Sequence, residues 1–319
     1  MATRDRVRVF QVHDAGEMWE NVDTQTEHKQ LMENLRNLGS VVVAYSGGVD
    51  SALLLAVAHK TLGSDHCLAV TGISPSLAGE EYDDARRVAE QIGARWITVE
   101  TNEISDLDYR RNDENRCYYC KSELFDQLRK VADEYGLATI VDGYNADDVG
   151  DWRPGERAAR ERDVHSPLKD AGLGKEAIRA LSREYGLPTA DKPSFACLAS
   201  RLPYGTEVTP ERLELIARAE TTLREVGFGV FRVRYHGPVA RLELGPEEIE
   251  RIQDRKLSSI VNDRLRAHGF EHVTVDLAGF RSGSQNESAQ SDDSLVGIGS
   301  VTNVLKLSLI HISEPTRPY

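Results

Sequence analysis

Cysteine is scarce in this chain: four in 319 residues are too few for a disulfide scaffold. Two of them stand as Cys117-Tyr118-Tyr119-Cys120, a spacing that suits metal or redox chemistry in a reducing cytoplasm. Long apolar runs are also missing, and none approaches the length that spans a bilayer, so no membrane partner is expected. The first ten residues, Met1 to Phe10, are charged and then mixed, without the apolar centre of a secretory signal, and the expected location is cytoplasmic. Basic charge falls short too: 39 Lys and Arg against 52 Asp and Glu leave a net charge of −13, with no long basic run. A protein that grips a polyanion normally shows a basic face, so nucleic acid is not expected as a partner, although a local groove can hide in an acidic total. The length suits one large domain and a small one.

Against those absences stands Ser46-Gly47-Gly48-Val49-Asp50-Ser51, set between the apolar run Val41 to Tyr45 and the helix-like Ala52 to Ala58. The pattern is a strand, a phosphate-sized turn and a helix start. Gly47 and Gly48 admit close approach of a ligand to the backbone, and the unpaired N–H groups of the helix's first turn favour an anion at the same place. The loop lacks the Gly-Lys-Ser/Thr ending of a Walker A sequence, and so has no lysine to reach the β- and γ-phosphates. It resembles the pyrophosphate loop of the N-type ATP pyrophosphatases, which cleave ATP between the α- and β-phosphates to make an adenylated substrate. The bland reading is an ordinary Gly-Gly turn; the flanking pattern favours the nucleotide. Asp50 is expected to help hold Mg2+.

Strand-like and helix-like stretches alternate after the loop. Cys67 to Gly72, Trp96 to Val99 and Thr139 to Gly143 read as strands, Glu80 to Ile92 and Lys121 to Tyr135 as helices. The pattern predicts a parallel sheet with helices on both faces and ligands beyond the carboxyl ends of its strands. Asp142 ends one such strand and is expected to contact nucleotide or Mg2+, against turn capping as the alternative. From Arg201 a small α+β unit is expected: a helix opened by Thr209-Pro210-Glu211 and stopped at Gly227, two alternating strands near Phe231 and Ala240, a helix from about Pro246 to His268, and a last strand from Val273. The expected boundaries are a poorly ordered lead-in over 1–28, the loop domain over 29–200, the small substrate-binding or oligomerisation domain over 201–284, and a disordered tail over 285–319. The end of that tail resembles translated adapter read-through and is assigned no fold or function.

Cys197 lies far from the Cys117 and Cys120 pair, yet three thiols can meet at one site. They suit a [4Fe–4S] cluster with one open iron; a structural zinc with a histidine as fourth ligand, or three unrelated thiols, are the alternatives. Cys67, inside an apolar strand, reads as a small buried residue. Arg232 and Arg234, two apart on a strand, project from one face and could bind a phosphate, or else pair across to Arg241 or Glu243. Arg201 follows Cys197 closely and could stabilise charge on an adenylate. His165 and His236 stand outside any ligand-spaced cluster and read as structural.

Taken with the loop, Arg116 to Lys121, Val141 to Asp148, Asp151 to Gly155, Ser200 to Gly205, Arg232 to His236 and Gly279 to Gly283 resemble the LarE family over about Lys29 to Gly283. The resemblance implies the adenine nucleotide alpha hydrolase-like fold of the PP-loop ATP pyrophosphatases and an ATP-dependent sulfur transferase in maturation of the lactate racemase nickel-pincer cofactor. Two carboxylates of pyridinium-3,5-biscarboxylic acid mononucleotide would each be adenylated and converted to a thiocarboxylate. It also implies a phosphate role for Arg232 and Arg234, a homo-oligomer, and Cys197 as the sulfur-bearing cysteine. In one branch that cysteine is consumed; in the other, three cysteines hold a [4Fe–4S] cluster that relays sulfide from a donor, and Cys117 and Cys120 favour the second. The competing enzyme is a tRNA thiolase of the same superfamily, for which a basic RNA-binding domain is missing. An ammonia-using adenylating synthetase leaves the cysteines unexplained, and a non-catalytic iron–sulfur sensor would release no pyrophosphate.

Overall fold

Strands covered on both faces need continuous apolar runs, and Val41–Ala44 (β1) and Cys67–Ile73 (β2) supply them. A computed structural model, which describes residues 15–150, 153–193 and 196–281, pairs them in parallel with Arg95–Glu100 (β3), Thr139–Val141 (β4) and Val164–His165 (β5). The order is β3-β2-β1-β4-β5. Successive side chains of β1 feed opposite faces: Val41 and Val43 join a core with Leu31, Leu53, Val57 and Ile178, while Val42 and Ala44 join Val70, Phe125, Leu128 and Ile140. The chain runs outward from β1 in one direction and resumes at β4 on its other side, so the strand order reverses there. That reversal opens a crevice at the carboxyl ends of β1 and β4, where ligands of such sheets bind.

Three expectations need correction. The Ala15–Leu38 helix extends into the supposed lead-in of 1–28, because Leu31 and Leu35 dock one end and a helix once nucleated propagates without an apolar period. Residues 1–14 lie outside the described residues. The Arg116–Tyr135 helix begins before Lys121, so Cys117 and Cys120 sit inside it, three residues apart and therefore on one face. The single helix expected from Pro246 to His268 is two, Pro246–Arg251 and Arg255–His268. Asp254 restarts it, accepting from the backbone N–H groups of Lys256 (3.0 Å) and Leu257 (2.8 Å). β5 escaped the sequence pattern because two residues cannot show a period.

In the later part, Thr209 caps the Pro210–Glu225 helix, its hydroxyl accepting from the Arg212 N–H at 3.4 Å. Phe231–His236 (β6) pairs antiparallel with Val239–Leu244 (β7), and His272–Val275 (β8) runs parallel to β7. Leu223, Phe231, Val233, Leu242, Val261 and Leu265 share its core. The described residues up to Phe280 form one compact unit, and an apolar seam of Tyr109, Leu198, Leu202, Val208, Leu213 and Ile216 crosses the boundary drawn at 201. Among the described residues no helix is long and apolar enough to cross a membrane. The tail of 285–319 lies outside them.

Candidate nucleotide and thiol site

The loop after β1 is braced by its own hydroxyls. Ser51 Oγ accepts from the Ser46 N–H at 3.2 Å and donates to the Gly48 carbonyl at 3.3 Å, while Ser46 Oγ and Ser51 Oγ lie 3.1 Å apart. Gly48 caps the Val49–Leu62 helix in extended backbone with no side-chain cap bond, which leaves first-turn N–H groups facing the loop for an anion. Gly47 has φ +72°, and a Cβ there would come within 2.8 Å of Ala85 Cα. Gly47→Ala is therefore expected to destabilise the fold by roughly 1–2 kcal/mol through the left-handed backbone and about 1–3 through overlap. Urea denaturation measures the loss, and an unchanged midpoint would refute it.

At the neighbouring strand end, Asp142 accepts at Oδ1 from Ser166 Oγ (2.8 Å) and from the Tyr144 N–H (3.2 Å). Its carboxylate ties β4 to the segment after β5, the turn-capping alternative to nucleotide contact. Asp50 faces protein groups as well: Lys175 Nζ lies 2.5 Å from Oδ1 and 2.6 Å from Oδ2, and Asn145 Nδ2 donates to Oδ1 at 3.3 Å. Lys175 was missed in the sequence, although Gly172-Leu173-Gly174 ahead of an amphipathic run marked a helix start that could have pointed to it.

The thiol segments are brought together by backbone and by Arg116. Leu198 donates its N–H to the Ser76 carbonyl at 3.0 Å, which hangs Cys197 beyond the carboxyl end of β2. Buried Arg116 donates to the Ala199 carbonyl at 3.0 Å and to Asn112, whose own amide holds the carbonyls of Pro203 (2.8 Å) and Thr206 (2.9 Å). Asn112 adopts φ +55°, a left-handed turn that asparagine tolerates. Cys117 and Cys197 are exposed and Cys120 is half-buried against the seam that contains Leu198. Burial pushes the Cys120 thiol up, with Glu103, Cys197 and Cys117 adding to it. Among the described residues no three His, Cys, Asp or Glu side chains converge as a metal-binding group. Cys67 is fully buried and its thiol is pushed up to about 12 by desolvation, as a structural cysteine's would be.

Arg201 corrects its expected role. Only 1% exposed, it donates from Nε and Nη2 to the two oxygens of Glu220 (2.9 and 3.2 Å) and from Nη1 to the carbonyls of Ala196 and Cys197. A buried guanidinium must place its donors, and these hold the Cys197 turn rather than a nucleotide. Glu220 was hidden because it shares a helix face with Ile216 and Leu223.

Arg232 and Arg234 are both buried on β6. Arg234 Nε pairs with buried Glu243 at 3.0 Å and its Nη1 donates to the Ser200 carbonyl at 2.6 Å, while Arg232 lies 4.5 Å over the Phe280 ring. Desolvation, then Arg201 and Arg234, hold the Arg232 guanidinium down to about 10. Arg201, Arg232 and Arg234 are thus buried together with Glu220 and Glu243. His236 ends the same strand; burial lowers it, and Arg241 and Arg234 add to that. His165 lies at the sheet edge, 3.9 Å from Asp163.

A family model described as NAD synthase matches residues 24–133, the region of the loop and the first helices. The chain is 45% identical over 80% of its length to an uncharacterised protein of Synechocystis, covering 96% of that protein. It is 38% identical over 82% of its length to the pyridinium-3,5-bisthiocarboxylic acid mononucleotide synthase of Lactiplantibacillus plantarum, covering 94% of it. A tRNA-specific 2-thiouridylase of Carboxydothermus hydrogenoformans is 31% identical, but over 48% of this chain and 53% of its own. Similarity to the thiouridylase stops at about half of each protein, whereas that to the mononucleotide synthase runs nearly end to end, so the chain belongs to the LarE family of the pyrophosphate-loop proteins.

Proposed function

We propose that this protein is an ATP-dependent sulfur transferase that converts the carboxylates of pyridinium-3,5-biscarboxylic acid mononucleotide to thiocarboxylates. The observation that carries the reading is the Cys197 segment, tethered at Ser76 beyond the same edge of the sheet that presents the anion-seeking loop. A carboxylate oxygen attacks the α-phosphorus of ATP, the bond to the bridging oxygen breaks, and pyrophosphate leaves into the N–H groups after Gly48. A sulfur nucleophile then attacks the acyl carbon and AMP departs with the former carboxylate oxygen, so each sulfur uses one ATP. Asp50 is the proposed partner of ATP's Mg2+, and Asp142 shapes the loop's neighbour. Arg232 and Arg234, with Arg201 behind them, supply the positive field for the substrate's phosphate.

Three thiols are the ligand type of a [4Fe–4S] cluster and one short of its four, the side chains as described do not converge on a metal, and buried Arg116 places positive charge beside Cys117 and Cys197. In this reading Cys117, Cys120 and Cys197 hold a [4Fe–4S] cluster, which when bound would supply an open iron for a donor's sulfide. A homo-oligomer is the assembly proposed with it. The test is anaerobic, cluster-reconstituted protein with ATP, Mg2+, sulfide and the mononucleotide, followed by mass spectrometry of nucleotide and protein. Thiolated product over many turnovers with Cys197 intact is expected. Product limited by enzyme amount, with Cys197 desulfurised, would replace the cluster by sacrificial use of that cysteine, and absence of product would return the tRNA thiolase.

A further inference from the structure

Four carboxylates and one guanidinium line a cavity that the proposed reaction leaves unused. Three- and four-residue spacing puts Tyr119, Ser122, Glu123 and Asp126 on one face of the Arg116–Tyr135 helix. That face and the turn carrying Glu103 and Asp106 enclose about 270 Å³. The guanidinium is already engaged: Arg162 donates to both oxygens of Asp126, at 2.7 and 3.1 Å. Glu123 Oε1 accepts from the Asn102 N–H at 3.2 Å, and Asp106 Oδ1 from the Asp108 N–H at 2.8 Å, bonds that fix both carboxylates without neutralising them. Glu103 is only 3% exposed, and its Oε1 accepts from Ser76 Oγ at 2.9 Å. Its Oε2, and Oγ of the 9% exposed Ser122, are buried with no hydrogen-bond partner among the described residues, and both side chains line the cavity. A buried acceptor left without a donor costs free energy, and a bound ligand that brings the donor removes the cost. We infer that this cavity binds a small aliphatic primary ammonium ion, its N–H groups donating to Glu103 Oε2 and Ser122 Oγ and its charge set among Glu103, Asp106 and Glu123.

A divalent metal ion suits the cavity less well, because among the described residues no three His, Cys, Asp or Glu side chains converge to hold one. An ammonium ion needs no such convergence: each N–H takes its own acceptor, and a hydroxyl oxygen accepts as a carboxylate does. Tyr119, edge-on to Tyr118 with ring centroids 5.4 Å apart, adds an aromatic wall for the cation or its alkyl chain. Buried water is the plainer occupant, but it would leave the charge of Glu103 without a counter-ion. The cavity lining includes no residue of the nucleotide loop and none of the three thiols. It is joined to the Cys197 segment through Ser76, which donates to Glu103 from its hydroxyl and accepts the Leu198 N–H at its carbonyl. An amine held there needs neither ATP nor a cluster in order to bind.

The test is calorimetry and thermal unfolding of the full-length protein, without nucleotide, in the presence of n-butylamine or putrescine. Tetramethylammonium, K+ and Mg2+ serve as cations that lack an N–H donor. Both amines are expected to bind wild type and raise its melting temperature, while the other cations do not. Whichever amine binds more tightly names the ligand as a monoamine or a diamine, and either result upholds the site. Glu103→Gln keeps an acceptor for Ser76 and is expected to weaken amine binding roughly ten- to a hundredfold. In amine-free buffer the same variant should be no less stable than wild type, since its unbalanced buried charge is gone. A carboxylate that served the fold alone would give the reverse, a destabilised variant and a wild type indifferent to amines, and that would overturn the site. An equal response to tetramethylammonium, K+ or Mg2+ would overturn it too, by reducing the cavity to a patch of negative potential. Should Glu103→Gln fail to fold, Ser122→Ala decides: several-fold weaker amine binding is expected, and unchanged binding refutes the assignment.

Discussion

Cys197→Ser is expected to abolish thiocarboxylate formation, by on the order of a thousandfold or more, while pyrophosphate release from ATP continues. The division follows from how the residue is held. Its backbone carbonyl accepts from the Ser200 N–H (3.0 Å), Ser200 Oγ (2.7 Å) and Arg201 Nη1 (3.2 Å), and the following N–H is fixed on Ser76. None of those bonds involves the sulfur, and the side chain is exposed. A hydroxyl of similar size therefore leaves the turn standing and removes only the soft nucleophile or ligand. Pyrophosphate assays and mass spectrometry of the nucleotide, run on one sample, check both halves. Loss of pyrophosphate release together with thiolation would place Cys197 in the adenylation step and contradict the assignment of sulfur chemistry to it.

The features that were legible in the sequence are those fixed locally. The strand, Gly-Gly turn and helix around Ser46 to Ser51 depend on neighbours in the chain, and so do the Thr209 cap and the apolar alternation of β6 and β7. Partners distant in sequence were not legible. Lys175 reaches Asp50 across 125 positions, and Arg201 reaches Glu220 from another element, so neither pairing leaves a local period. Cys117 and Cys120 were placed ahead of their helix because Cys-Tyr-Tyr-Cys shows no amphipathic pattern and Asn115 makes no side-chain cap bond. Arg232 and Arg234 were placed on one face correctly, but that the face is buried depends on Glu220, Glu243 and Phe280.

Glu220→Ala is expected to be the most damaging single change to stability in the later part of the chain. Arg201 and Glu220 are 1% and 4% exposed at their side chains, and they meet through two parallel bonds. Removal of the carboxylate leaves a guanidinium buried without its counter-charge, which costs about 3–5 kcal/mol, and the Val233 N–H loses its 3.1 Å acceptor as well. For a domain of this size the melting temperature should fall by on the order of 10 °C, as read by calorimetry. Combining Arg201→Met with Glu220→Ala should recover part of that loss, since the orphaned charge is then gone; no recovery would mean that the pair is not what the fold depends on. Stability recovered in this way should not restore thiolation. The same guanidinium that needs Glu220 also holds the carbonyls of Ala196 and Cys197, so the double variant folds with its cysteine turn released. A double variant that regains both would show that Arg201 serves the fold alone.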